Sequence, residues 1–136
     1  VLSRAPKAAE GADLAKAKRV VGIGKGLKRE EDLALIREFA QALGAEIGCT
    51  RPLATDRHWL TEDRVIGLSY LKLKPELYVS VGISGQIQHT VGILKAKTIV
   101  TINTNKDEPM FAMSDYGIVG DLYRVLPLLT ARLKGA

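Results

Sequence analysis

Directly behind the apolar run Leu77-Tyr-Val-Ser-Val81 the chain sets Gly82-Ile-Ser-Gly-Gln-Ile-Gln-His-Thr-Val-Gly92, which combines flexible backbone with hydrogen-bonding side chains. Three chemistries compete for such a stretch. A nucleophile turn would pair Ser84 with His89 as its base. It needs Gly-x-Ser-x-Gly, however, and Gln86 stands where the last glycine is required, with no aspartate evident to orient the histidine. A phosphate-cradling turn is better motivated. Glycines permit close approach of the main chain, the first N–H groups of a following helix face outward, and the helix dipole favours negative charge. An ordinary strand-to-helix turn remains open beside it.

A second glycine turn, Gly22-Ile-Gly-Lys-Gly26, is close to a dinucleotide fingerprint but carries Leu27 where the third glycine belongs, and no strand-terminal acid follows for a ribose. Lys25 could meet a phosphate there, or the turn could be structural. Arg51, ahead of Pro52, could meet an anion or a surface acid. Cys49 is the single cysteine and His58 and His89 are the two histidines, so neither a metal constellation nor an intramolecular disulfide is expected.

The 136 residues, 46% hydrophobic and 26% charged, suit one folded domain with a real core. Twenty basic against fifteen acidic residues give a net charge of +5. The cations are dispersed, with neither a basic stripe nor interleaved aromatics, so no nucleic-acid face is expected. No apolar run approaches the roughly 18 residues of a membrane span, and a cytoplasmic protein is expected. Residues 1–17, Ala-rich, polar and aperiodic, read as a linker from a missing N-terminal domain; residues 18–136 read as the domain itself.

The elements that must position these groups follow from apolar periodicity. Residues 19–24 read as a strand, residues 30–43 as a helix with Leu33, Ile36, Phe39, Ala40 and Leu43 on one face, and residues 45–48 as a second strand. The next segment to Lys74 reads as an irregular connection with a helical turn around Trp59. Strands are expected at 77–81 and 98–102, a short helix at 85–93, a polar loop at 103–113, a short strand at 115–119 and a final helix at 121–133. Pro127 is expected to kink that last helix unless it starts close by. Alternating strands and helices predict a three-layer α/β/α sandwich with a mainly parallel sheet, Rossmann-like and doubly wound.

Ligands of such sheets bind outside the carboxyl ends of the strands. The special residues fall there: Lys25 and Gly26 after the first strand, Thr50 and Arg51 after the second, Ser84 and Gly85 after the third, Asn103 after the fourth, with Asp115 before the last.

Several ordered motifs over most of the chain then acquire a common meaning. Thr50-Arg-Pro52, Lys74-Pro-Glu-Leu-Tyr78, Gly82-Ile-Ser-Gly-Gln-Ile-Gln-His89, Lys97-Thr-Ile-Val-Thr-Ile-Asn103 and Ser114-Asp-Tyr-Gly-Ile-Val-Gly-Asp121-Leu resemble the C-terminal FAD-binding domain of the electron transfer flavoprotein alpha subunit. The resemblance implies a noncovalent FAD carrier, not an enzyme with its own turnover. It also implies pairing with a beta subunit as a heterodimer, and electron transfer between flavoprotein dehydrogenases and a redox acceptor. Position by position, it implies that Arg51 lies against the isoalloxazine, Ser69 offers a hydroxyl near flavin N5, and Ser84, Gly85, Gln88 and His89 surround the cofactor, His89 near the pyrimidine carbonyl. Asn103 and Asp115 would hold the adenosine half, and Lys25 replaces an arginine common in the glycine turn, losing its bidentate fork. Gly67-Leu-Ser-Tyr70 departs from the Gly-Gln-Thr-Gly of many members and looks more like the branch associated with nitrogen fixation and anaerobic acyl-CoA or carnitine metabolism.

On this reading Arg51 and His89 supply a field that stabilises a reduced flavin. The rival reading is an NAD(P)-binding domain of an oxidoreductase with the same sheet. It is weakened by the missing third glycine and ribose acid.

Overall fold

The computed structural model describes residues 14–135. Its centre is a five-stranded sheet, every pairing parallel, in the order β2-β1-β3-β4-β5. The strands are β1 (Arg19–Ile23), β2 (Glu46–Cys49), β3 (Leu77–Val81), β4 (Thr98–Asn103) and β5 (Tyr116–Val119). Parallel strands covered on both faces must be apolar on both, so β1 and β3 read as nearly continuous buried runs. The expected parallel sheet is present, with every pairing among the described residues parallel.

The helices are α1 (Leu33–Leu43), α2 (Arg51–Thr55), α3 (Ile87–Thr90), α4 (Pro109–Ala112) and α5 (Leu122–Gly135). On one face α1 and α5 pack over Val21, Ile23, Val79, Val81 and Ile102. The 3.6-residue spacing of Leu33, Ile36, Phe39 and Ala40 turns one stripe of α1 onto this layer. Each side chain of this size taken from water contributes about 1.5–3 kcal/mol. On the opposite face Val20, Tyr78 and Ile99 meet Ile66, Leu73, Ile83, Ile93 and Met110. Leu14, within the stretch expected to be linker, is fully buried in this second cluster. Residues 1–13 lie outside the described residues.

Two local expectations are corrected. The helical turn expected around Trp59 lies instead at α2, immediately after β2, where Pro52 sits in the first turn and Thr50 is the N-cap. A proline there loses only an N–H that has no helical partner anyway. Trp59 sits in irregular chain with the Arg57 guanidinium 4.8 Å over its ring. The loop expected from Asn103 to Met113 contains α4, again started by a proline, Pro109. Pro127 lies well inside α5, which runs on to Gly135.

Candidate functional site

The sheet order reverses direction between β1 and β3, and in open parallel sheets that switch opens a crevice at the carboxyl edge. A crevice of about 650 Å³ lies there. Lys25, Gly26, Thr50, Arg51, Ser69, Ser84, Gln88, His89 and Asn103 all line it, brought from the carboxyl ends of β1, β2, β3 and β4 and the segments that follow them. Gly85 and Asp115 do not.

Gly85 is adjacent but serves packing. A Cβ on it would run into the backbone of Met110, and the Met110 N–H donates to the Ser84 carbonyl at 2.9 Å. Asp115 is at the other end of the sheet. Its carboxylate accepts the Ile99 N–H at 2.8 Å and its own N–H donates to the Ile99 carbonyl, at the start of β4. Asp115, expected to hold the adenosine half, thus lies away from the crevice and pins the amino edge of the sheet. The acid that does follow β5 at the carboxyl edge is Asp121, whose Oδ1 accepts the Tyr123 N–H and so caps α5. Its neighbour Gly120 donates to the Asn103 carbonyl at 2.9 Å.

The first glycine turn also works differently from a phosphate cradle. The Gly26 N–H donates to the Gly82 carbonyl at 3.0 Å and the Gly24 N–H to the Val81 carbonyl at 3.1 Å. A Cβ on Gly26 would stand 2.6 Å from the Gly82 Cα, and Gly82 itself has φ 66°, a left-handed conformation suited to glycine. The loops after β1 and β3 are therefore interlocked backbone against backbone, forming the floor of the crevice. Asn103 extends this bracing, its amide donating to the Ile83 carbonyl at 3.2 Å and its Oδ1 accepting the Asn105 N–H at 3.3 Å. The Leu68 N–H donates to the Gln88 carbonyl at 2.7 Å, joining the loop that carries Ser69 to α3.

The electrostatics are set by Arg51 and Lys25, both exposed on the crevice, against the one acid lining it, Glu108. Among the described residues neither cation forms an ion pair. His89 does not join them. It is 5% exposed, its Nε2 lies 2.7 Å from the Tyr78 hydroxyl and its Nδ1 3.2 Å from the Ile66 carbonyl. Burial pushes its pKa down to about 4, the carbonyl bond only partly offsetting this. His89 is neutral at pH 7, which corrects the expectation that it shares the positive field with Arg51.

Other lining residues carried too little signal in sequence to be singled out: Tyr70, Gln86 and Glu108 have no motif spacing of their own. Cys49, buried next to the site residues, has its thiol pushed up to about 12 by burial, so it is inert as a nucleophile. Among the described residues no group of three or more His, Cys, Asp or Glu could hold a metal ion.

One atom tests whether these residues fit a polar cofactor. The Thr50 hydroxyl is buried yet has no hydrogen-bond partner, and Thr50 lines the crevice. A buried hydroxyl left unpaired costs about 1–3 kcal/mol, so this wall has hydrogen-bonding capacity that a polar ligand can satisfy. With exposed cations, mixed polar and apolar walls and room for a flat ring system, the crevice fits a flavin nucleotide.

Comparison with known proteins agrees. Residues 13–94 match the family model of the electron transfer flavoprotein FAD-binding domain. YdiR of Escherichia coli, named as an electron transfer flavoprotein subunit, is 52% identical over 131 residues, 96% of this chain and 42% of that protein. The FixB protein of Escherichia coli O127:H6 is 50% identical over 121 residues, 89% of this chain and 39% of its own length. The chain thus spans about two fifths of these relatives. A solved structure from Mycobacterium smegmatis, described as a thiamin diphosphate-dependent enzyme, shares a TM-score of 0.51 at 18% identity, covering 94% of this chain and 27% of that one. At that identity the likeness speaks for the fold alone. Fold by itself does not separate a flavin from a nicotinamide; the family match does.

Proposed function

We propose, from the premise that the chain belongs to the FAD-binding domain family of electron transfer flavoprotein alpha subunits, that it holds FAD in the carboxyl-edge crevice. We further propose that it serves an electron carrier assembled with a beta subunit. The observation that carries this reading is the convergence of Lys25, Thr50, Arg51, Ser69, Ser84, Gln88, His89 and Asn103 on one crevice at the switch point of the sheet. FAD, when bound, supplies the one- and two-electron chemistry, and the protein's task is to bind, orient and tune it.

In this assignment the interlocked glycine loops form a rigid floor, Thr50 spends its free hydroxyl on the cofactor, and Ser69, Ser84 and Gln88 add directed hydrogen bonds. Arg51 supplies the positive charge that favours reduced flavin. His89, neutral and fixed, is a shaped polar wall. None of these residues acts as an acid, base or nucleophile in a turnover of its own. In this assignment the electron donors are flavoprotein dehydrogenases, and the Gly67-Leu-Ser-Tyr70 departure supports the branch associated with nitrogen fixation and anaerobic acyl-CoA or carnitine metabolism. Among the described residues no helix is long and apolar enough to cross a membrane.

The test is co-expression with a beta-subunit homologue and spectroscopic counting of flavin per heterodimer. Stoichiometric flavin that is lost together in a Thr50→Val, Arg51→Ala double variant supports the assignment. Full flavin retention in that variant would move the site elsewhere, and uptake of nicotinamide with no flavin would end the reading.

A further inference from the structure

The crevice wall formed by His89 depends on a residue that never reaches the crevice. Tyr78, on β3, is fully buried and its hydroxyl lies 2.7 Å from His89 Nε2, the two rings 5.9 Å apart and tilted by 39°. On the other side His89 Nδ1 lies 3.2 Å from the Ile66 carbonyl, which can only accept. The proton of the neutral ring therefore sits on Nδ1, Nε2 is the acceptor, and the Tyr78 hydroxyl is the donor.

Strand β1 makes this possible. Tyr78 is in register with Val20, yet a Cβ built on Gly22, two residues further toward the carboxyl edge, would fall on the Tyr78 hydroxyl and within 2.8 Å of its ring. The phenol thus leans along the sheet toward the crevice through a slot that exists because residue 22 has no side chain. The first glycine of Gly22-Ile-Gly-Lys-Gly26, unexplained by the backbone interlock, has its reason here.

We propose that Tyr78 is a positioning residue for the FAD site: from beneath the crevice floor it fixes both the tautomer and the ring orientation of His89, with Gly22 providing the slot. The tautomer of a histidine is set by the partner of its other nitrogen, and both partners here belong to the domain itself. Tyr78, from β3, and Cys49, from β2 with its side chain in the cluster on the other face of the sheet, are both held protonated by burial. No charged side chain is among the causes of the shift at His89. Its state is therefore governed by Tyr78, Ile66 and burial. The inference deepens the proposed function and rests on its placing of His89 against FAD.

The test is long-range proton–nitrogen NMR of the histidine ring in the FAD-loaded chain carrying His58→Asn, which leaves His89 as the one histidine. The wild-type tyrosine should give a single Nδ1–H tautomer. Tyr78→Phe should give mixed tautomers, an upward shift of the His89 titration by about one unit, and FAD binding about three- to tenfold weaker. Replacement of Tyr78 by 3-fluorotyrosine keeps the donor and should restore the single tautomer. An Nε2–H tautomer with Tyr78 intact, or a Tyr78→Phe spectrum and titration like those of the unchanged ring, overturns the proposal. If Tyr78→Phe does not fold, the spectra of the tyrosine and fluorotyrosine forms still decide it. Adding FAD to the apo chain checks the premise separately: unmoved His89 signals would remove His89 from the cofactor wall, whatever its tautomer.

Discussion

Acidification should weaken this fold through one identifiable residue. His89 stays neutral in the folded chain until about pH 4, whereas a histidine in an unfolded chain titrates near 6.5. As pH falls, the unfolded state takes up the proton first, so the stabilising contribution is complete above about pH 6.5 and is lost progressively toward pH 4. A gap of about 2.5 pH units at about 1.4 kcal/mol each gives about 3 kcal/mol in total, most of which is gone by pH 4.5. Against a typical domain stability of about 5–15 kcal/mol this is large. The assay is urea unfolding of the apo chain at pH 7.5 and pH 4.5, in wild type and in His89→Gln. The two proteins differ only at residue 89, so the wild type should lose about 2–3 kcal/mol more than the variant over that interval. Equal losses would show that His89 titrates normally in the folded state, and would refute the description of it as a buried neutral ring held by Tyr78 and Ile66.

The other predictions concern the crevice and its supports. Arg51→Ala should lower the flavin midpoint potential by about 30 mV, the equivalent of ~1.4 kcal/mol for a two-electron couple; an unchanged midpoint in redox titration removes Arg51 from the tuning role. Thr50→Val should leave apo stability unchanged or slightly higher, because it deletes an unpaired buried hydroxyl, while weakening FAD binding by about 1 kcal/mol. Equal FAD affinity by fluorescence titration would mean that this hydroxyl does not meet the cofactor. Gly26→Ala should cost about 1–3 kcal/mol in unfolding experiments by forcing the two glycine loops apart, and FAD affinity should fall with it; a fully stable variant would contradict the interlock. Asp115→Ala should cost about 1 kcal/mol of stability, the Ile99 N–H losing its acceptor, with FAD affinity unchanged; a loss of affinity matching that of Arg51→Ala would return Asp115 to the site.

Much was legible in the amino-acid sequence because it depends on near neighbours along the chain. The apolar run 77–81 is β3 with the bounds expected, and the stripe Leu33, Ile36, Phe39, Ala40 is the buried face of α1. Alternation of such elements determined a parallel sheet, and the rule for such sheets placed Thr50, Arg51, Ser84 and Asn103 at its carboxyl edge. Family motifs added the cofactor. What tertiary structure alone decided is how each group is spent, since that depends on which strands become neighbours. Gly22, Gly24 and Gly26 have the composition of a phosphate turn, yet β1 lies beside β3, so their missing side chains accommodate Tyr78 and Gly82 instead. His89 has a cation's chemistry on paper, but folding sets it between the Tyr78 hydroxyl and the Ile66 carbonyl, where desolvation keeps it neutral. Asp115 lies close in sequence to the carboxyl edge and far from it in space, because the chain must return to the start of the sheet before β5 can run parallel to β4.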